Sequence, residues 1–148
     1  CYQGTVAVSF TACILNKIPF FVSHQNVDPM VDMLSAALDK NHCLAIVYTF
    51  MPDHLHTVIE GKSDESDTWK AMVDFKQKSG YWLRIHHPAV KWQKDFFDHI
   101  IRQSEDIDGV VKYILENPVR KGLVKDWRDY PFSGSIGYDL YGIVESLL

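Results

Sequence analysis

The sequence predicts an α+β protein in which helices pack on an antiparallel sheet. Three observations indicate this class. Runs rich in β-branched residues are bounded by turn residues, two longer segments have the apolar spacing of amphipathic helices, and the predicted elements follow the order β-α-β-β-α-β-α. Two of the strands are separated by only a short turn, which indicates a hairpin.

The first half of the chain begins with a strand and a helix. Residues 5–13 predict the strand because Thr and Val recur along it. The apolar piece 18–22 follows, and its proline restricts it to a sheet edge or a loop. Asp28 before Pro29 predicts a helix N-cap with proline at the first helical position, and apolar residues at helical spacing continue to about Lys40.

The predicted hairpin comes next. Residues 42–49 form its first strand, residues 54–60 form its second strand, and residues 51–53 supply a turn or bulge between them. This pairing places His54 and His56 close to the turn.

The second half contains a long helix, a strand and a final helix. The acidic segment 63–65 predicts the start of the long helix, which continues over residues 68–85 until His87-Pro88 stops it. Residues 96–102 predict the fourth strand, and residues 104–106 predict the cap of the final helix.

Composition indicates a single compact unit. The 148 residues are 47% hydrophobic, enough for one core, so we assign residues 1–148 to one domain. The three cysteines Cys1, Cys13 and Cys43 are odd in number and lack C-x-x-C spacing, which favours a reducing cytoplasm over a disulfide framework. No apolar run approaches the roughly 18 residues of a membrane span, and no signal-peptide pattern opens the chain, so we expect no membrane partner.

Charge is segregated along the sequence. The net charge of −4 disfavours a generally nucleic-acid-binding surface, yet residues 70–128 hold 12 of the 15 Lys and Arg against 8 of the 19 Asp and Glu. Tyr81, Trp82 and Trp92 lie among these cations, a mixture suited to binding a backbone and stacking bases. A solvated helix face with core aromatics is the alternative, and cations near a helix end also bind its carbonyls. Predicted nucleic-acid contacts are Lys76, Lys78, Arg84, Lys91, Lys94, Arg120 and Lys121.

The pair His54 and His56 is a candidate metal site. Alternate side chains of a strand share one face, so both imidazoles project together while Leu55 points into the core. Neutral imidazole is a common metal ligand. Two hydrogen-bonded histidines without a metal are the alternative interpretation of this spacing, since two ligands rarely suffice for a catalytic ion.

Tyr113 and Asn117 supply a second candidate element. They stand four residues apart near a predicted helix end, so the phenol and the amide share a face. Pro118 biases Asn117 away from helical geometry and predicts that the helix closes there. A packed tyrosine with a terminal Asn cap is the alternative.

Together these segments resemble the IS200-like transposase family of single-tyrosine HUH nucleases, and most closely its REP-associated branch. The similarity extends over roughly residues 4 to 138. The matching segments run from Met51 to His56, Trp92 to Lys94, Phe96 to Arg102, Tyr113 to Val124 and Tyr130 to Ser135.

The resemblance implies a ferredoxin-like, RRM-like core and a transesterification on single-stranded DNA. Tyr113 would attack the phosphodiester and leave a 5′-phosphotyrosine and a free 3′-hydroxyl. His54, His56 and the side-chain oxygen of Asn117 would hold Mg²⁺ or Mn²⁺, although the ligand types alone also permit Zn²⁺. A hairpin from a repetitive palindrome is the substrate that this branch implies.

Several points stay open at the level of sequence. Asp53 is either a ligand or a partner that fixes a histidine tautomer, and Asp98 and His99 have no assigned role. The chain is either a monomer or a homodimer. The rival functions are a hairpin-binding module without catalysis and a metal phosphoesterase that uses water in place of Tyr113.

Overall fold

The computed structural model describes residues 1–103 and 105–145 and confirms the α+β class. Five antiparallel strands form one sheet in the order β4-β1-β3-β2-β5. The order of β1 to β4 and the helices after β1 and β3 give the expected ferredoxin-like arrangement, to which β5 adds an edge. The elements are β1 (Ala7–Cys13), α1 (His24–Lys40), β2 (Cys43–Met51), β3 (His54–Gly61), α2 (Thr68–His86), β4 (Phe97–Ile101), α3 (Ile107–Leu115), α4 (Asn117–Arg120), β5 (Ser133–Ile136) and α5 (Leu140–Glu145).

The two faces of the sheet carry separate apolar clusters. On one face, α1 and α2 pack on strand residues that include the fully buried Phe10 and Leu55. On the other face, Val111 and Ile114 of α3 pack on Val58 of β3. The sheet therefore places the tyrosine-bearing helix on the face opposite the main core, and residues 18–22 form a loop as predicted.

The start of α1 differs from the prediction that Asp28 is its N-cap. The helix begins at His24, and the Oγ of Ser23 accepts the backbone N–H of Asn26 at 3.3 Å. Pro29 lies inside the helix, in its second turn. The capping hydroxyl satisfies one of the free N–H groups of the first turn, so the helix gains five residues that the Asp-Pro signal had excluded.

Replacement of Ser23 with alanine is expected to lower the free energy of unfolding by about 1 kcal/mol, the usual cost of a lost N-cap. Asp28→Asn should leave it nearly unchanged, because Asp28 is exposed and, within the described part of the chain, pairs only with the exposed His24. Urea unfolding of both variants checks the assignment. A larger loss in Asp28→Asn than in Ser23→Ala would contradict it.

Two further helix ends also differ from prediction. Asp67, not the acidic segment 63–65, caps α2, and its carboxylate accepts the N–H of Lys70 at 2.9 Å. Asp106 precedes α3 without a side-chain cap, and Ser104, part of the predicted cap, lies outside the described residues. The sequence offered several acidic cap candidates, and the fold uses the one adjacent to the first apolar turn.

The end of the tyrosine helix is the largest local difference. α3 stops at Leu115, and Asn117 begins the separate short helix α4 with Pro118 as its second residue. Proline is tolerated there because first-turn N–H groups have no helical partner. Pro118 therefore starts a helix where the sequence predicted an end.

Within the described part of the chain, no helix is long and apolar enough to cross a membrane.

Candidate active site

The hairpin of β2 and β3 presents His54 and His56 as predicted. Leu55 between them is fully buried in the main core, while both histidines are partly exposed on the face where α3 packs. Met51 pairs with His54, so Pro52 and Asp53 form the turn. The alternation of a strand therefore brings both imidazoles to one side of the sheet next to a tight turn.

Asp53 fixes the orientation of His54. The Nδ1 of His54 lies 2.8 Å from the carboxylate Oδ1 of Asp53. This bond leaves the Nε2 of His54 as the ring nitrogen available to another ligand. Carboxylates commonly fix metal-binding histidines in this way. Of the two roles left open by the sequence, the geometry favours the orienting partner for Asp53.

His56 lies in an environment that keeps its ring neutral. Burial, followed by the charges of His54 and Arg120, lowers the pKa of His56 from 6.5 to about 4. Its Nε2 is 3.3 Å from the Oγ of Ser9 on β1. A neutral imidazole keeps a nitrogen lone pair, so at neutral pH His56 has the protonation state that a metal ligand requires.

Acid is expected to destabilise the fold through His56. The unfolded chain takes up a proton near pH 6.5, whereas folded His56 resists protonation down to about pH 4, so stability is lost as the pH falls through this window. The total is about 3 kcal/mol. Denaturant unfolding between pH 7 and pH 4 should show that the stability of His56→Gln depends less on pH. Parallel curves for the variant and the wild type would contradict this origin.

Tyr113 and Asn117 occupy different environments although they stand four residues apart. The side chain of Tyr113 on α3 is 59% exposed, whereas Asn117 at the start of α4 is only 9% exposed. Among the described residues, no hydrogen-bond partner contacts the side-chain amide of Asn117. The phenol is thus accessible to a large substrate, whereas Asn117 is mostly buried and its side-chain amide has no hydrogen bond within the described residues.

Arg120 contacts Tyr113 directly. Its guanidinium lies 3.7 Å from the centre of the Tyr113 ring, and its Nη2 donates to the backbone carbonyl oxygen of Tyr113 at 2.6 Å. This bond confirms the alternative that Arg120 binds a carbonyl at a helix end. The sequence did not reveal the stacking, although the seven-residue spacing places both residues on one side of a helical path.

A cavity of about 410 Å³ opens beside His54. Apolar residues such as Leu123 line it together with Cys13, Asp53 and two lysines, Lys17 and Lys121. Lys121, a predicted nucleic-acid contact, therefore lines the same cavity as the predicted metal ligand His54. Lys17 and Cys13 were not predicted, because the ladder that sets Cys13 opposite His54 is a tertiary feature.

The remaining predicted cations divide between two surfaces. Lys76, Arg84, Lys91 and Lys94 line a groove of about 320 Å³. Lys76 is already engaged there, since its Nζ donates to the backbone carbonyl oxygens of Gln93 and Lys94 at 2.7 and 3.2 Å. Burial also lowers its pKa.

Lys78 lies apart from that groove. It lines a different cavity, beside Lys40 and Asp74 between α1 and α2. The structure thus brings four of the predicted cations together and separates Lys78 from them.

Asp98 and His99, on the edge strand β4, each contact a hydrogen-bond partner at the surface. The Tyr2 hydroxyl donates to Asp98 at 2.5 Å, and the Nε2 of His99 lies 2.8 Å from the Glu105 carboxylate. These contacts tie the N-terminal segment and the loop after β4 to the sheet edge. They give both residues structural partners.

The donor set near the hairpin has the chemistry of a divalent-cation site. Within residues 1–103 and 105–145 no cluster of three or more His, Cys, Asp or Glu side chains is arranged to hold a metal. Two imidazoles are present, and a third protein ligand must therefore be of another type. An amide oxygen such as that of Asn117 has that type, and two imidazoles with one amide oxygen are a donor set that suits a hard or borderline divalent ion.

With this fold and these residues, the chain belongs to the IS200-like transposase family. The model of the family described as "Transposase IS200 like" matches residues 7–117. The match covers every strand from β1 to β4 and the helix that carries Tyr113.

Similar proteins point to one branch of that family. A REP-associated tyrosine transposase of Escherichia coli strain K12 is 34% identical over 89 residues, 58% of this chain and 50% of that protein. A Haemophilus influenzae Rd protein, described as a candidate of the same kind, is 40% identical over 100 residues, 60% of this chain and 56% of that protein. The chain thus aligns with about half the length of these relatives.

A solved structure shows the same fold. It is a REP-associated tyrosine transposase bound to a REP hairpin, and it superposes with a TM-score of 0.76 at 22% identity. The alignment covers 90% of this chain and 78% of that one.

Proposed function

We propose that this chain is a metal-dependent single-stranded DNA transposase that cleaves and rejoins DNA through a covalent bond to Tyr113. The observation that carries the proposal is an exposed phenol on α3 together with two imidazoles on the sheet face against which α3 packs. A module that only binds DNA needs neither a nucleophile nor metal ligands. We further propose that residues 1–148 act as one domain.

The proposed metal site consists of the Nε2 of His54, His56 and the amide oxygen of Asn117. Bound Mg²⁺ or Mn²⁺ would supply Lewis acidity at the scissile phosphate. The chain contributes the neutral state of His56 and the orientation of His54 through Asp53. Both features favour metal binding at neutral pH. No proton has to be expelled from His56, and the ring of His54 is already oriented by Asp53.

The proposed reaction forms a bond between the Tyr113 oxygen and phosphorus as the bond from phosphorus to the 3′ oxygen breaks. The phenol loses its proton, and the leaving 3′ oxygen gains one and becomes a hydroxyl. The exposure of Tyr113 supports this role, since a phosphodiester strand needs open access to its nucleophile. The phosphoester bond is conserved in the adduct, so rejoining to another 3′-hydroxyl needs no external energy source.

We propose a DNA hairpin with a single-stranded flank as the substrate. The similar structure bound to a REP hairpin supports this class, as does the basic groove that contains Arg84 and Lys91. Cations along a groove bind phosphates of any sequence, so the groove would position DNA without reading its bases.

Labelled oligonucleotides test the function. Hairpins from the repeats of the source genome, labelled at the 5′ or the 3′ end, are incubated with the protein and Mg²⁺ or Mn²⁺ and analysed on denaturing gels. We expect a metal-dependent adduct that carries the 3′-side fragment. Cleavage without an adduct that survives in Tyr113→Phe would indicate a hydrolase using water. Tight binding without cleavage under any condition would indicate a binding module.

A further inference from the structure

Arg120 holds a position that its helix-capping role does not explain. A single Nη2 bond to the Tyr113 carbonyl satisfies the end of α3, yet the whole guanidinium also lies 3.7 Å from the Tyr113 ring centre. Arg120 remains exposed, and a guanidinium has five N–H donors. Donors beyond the one bound to the carbonyl are therefore available to a ligand.

The neighbours of Arg120 are the groups to which the proposed function assigns the chemistry. Asn117 begins the single turn of α4 that Arg120 ends, so the two residues lie on one side of that turn. Tyr113 touches Arg120 directly, through its stacked ring and through its backbone carbonyl oxygen. The guanidinium thus lies against the nucleophile and on the same side of the α4 turn as one candidate metal ligand, Asn117.

A phosphate that reacts with Tyr113 must approach this same place. It has to meet the phenol oxygen on one side and the proposed metal ligands on the other. A guanidinium is always charged and matches two phosphate oxygens with parallel N–H donors, which makes it the side chain best suited to the remaining contact.

We propose that Arg120 binds the non-bridging oxygens of the scissile phosphate and is a catalytic residue of this site. The inference rests on the proposed function. As the Tyr113 oxygen bonds to phosphorus and the 3′ oxygen departs with the bonding electrons, negative charge gathers on the phosphoryl oxygens. The fixed guanidinium stabilises that charge. Its stacking on the Tyr113 ring holds the nucleophile and the phosphate in a fixed relative position.

Adduct kinetics provide the first test. Arg120→Ala is expected to slow adduct formation about 100-fold, the usual loss when one fixed donor to a developing oxyanion is removed. Arg120→Lys keeps the charge without the planar fork and should retain part of the rate. Arg128→Ala is the matched control, because Arg128 is exposed and already paired with Asp126, and it should react at the wild-type rate.

Binding without metal separates phosphate contact from a structural role. In a Tyr113→Phe background with EDTA, replacement of the scissile phosphate by an uncharged methylphosphonate should weaken binding about tenfold when Arg120 is present. The same replacement should have no effect in Arg120→Ala. Thermal melts identify any variant that fails to fold, in which case Arg120→Lys carries the comparison.

Three outcomes would overturn the inference. Wild-type adduct rates in Arg120→Ala would remove the catalytic role. Equal loss of affinity for phosphate and methylphosphonate DNA in Arg120→Ala would reduce Arg120 to a helix cap. Absence of any adduct in the wild type would instead refute the proposed function, and the role of Arg120 with it.

Discussion

Replacing Tyr113 with phenylalanine is expected to abolish covalent DNA capture while leaving the fold and hairpin binding unchanged. The change removes only the phenol oxygen, which has no hydrogen-bond partner among the described residues. The ring remains to stack against Arg120. Loss of a nucleophile typically lowers a rate by several orders of magnitude, so we expect a decrease on the order of 10⁴-fold or more. Denaturing gels of metal-containing reactions measure the adduct, and native gels measure hairpin binding.

Tyr141→Phe is the control for this experiment. Tyr141 is 62% exposed, close to the 59% of Tyr113, but it packs near Trp127 on a different helix. It should form the adduct at the wild-type rate. An adduct that persists in Tyr113→Phe would contradict the assignment of the nucleophile.

Replacing His56 with alanine is expected to remove one metal ligand. We expect metal binding and adduct formation to be lost together. Loss of an orienting partner alone lowers metal affinity about 10- to 100-fold, so Asp53→Ala should fall in that range and loss of the ligand His56 should exceed it. Asn117→Asp should bind at least as tightly as the wild type, because carboxylate oxygen suits Mg²⁺ and Mn²⁺. Titration of Mn²⁺ followed by electron paramagnetic resonance measures these affinities without DNA.

His42→Asn is the matched control for the metal titration. His42 precedes β2, at the end of the strand opposite the hairpin turn, and asparagine tolerates its positive φ of 57°. Mn²⁺ affinity should be unchanged in this variant and in Tyr113→Phe. Wild-type affinity in His56→Ala would exclude His56 from the site.

Elements with a clear periodicity of apolar residues were predictable from the sequence. The strand alternation around Leu55 and the short turn at Pro52 gave the hairpin and the face of both histidines. The helical spacing that includes Leu34 gave the body of α1. Helix ends were less predictable, because Ser23 and Asp28 both have capping side chains and tertiary packing decided between them.

The candidate site was predictable in its residues but not in its contacts. The His-x-His spacing and the family resemblance selected His54, His56, Tyr113 and Asn117. The pKa of His56 is depressed first by burial, then by His54 and by Arg120, 64 positions later in the chain. The burial and the Arg120 charge are tertiary features that no local pattern indicates. The metal's identity, a homodimer and a cytoplasmic location remain predictions.

The most direct test is to identify the residue that carries DNA in the trapped adduct. Wild-type protein is reacted with an unlabelled hairpin and Mn²⁺, digested with protease and nuclease, and analysed by tandem mass spectrometry. We expect a nucleotide joined through its 5′-phosphate to the peptide that contains Tyr113. A nucleotide on any other residue, or a Tyr113 peptide that stays unmodified while the hairpin is cleaved, would contradict it.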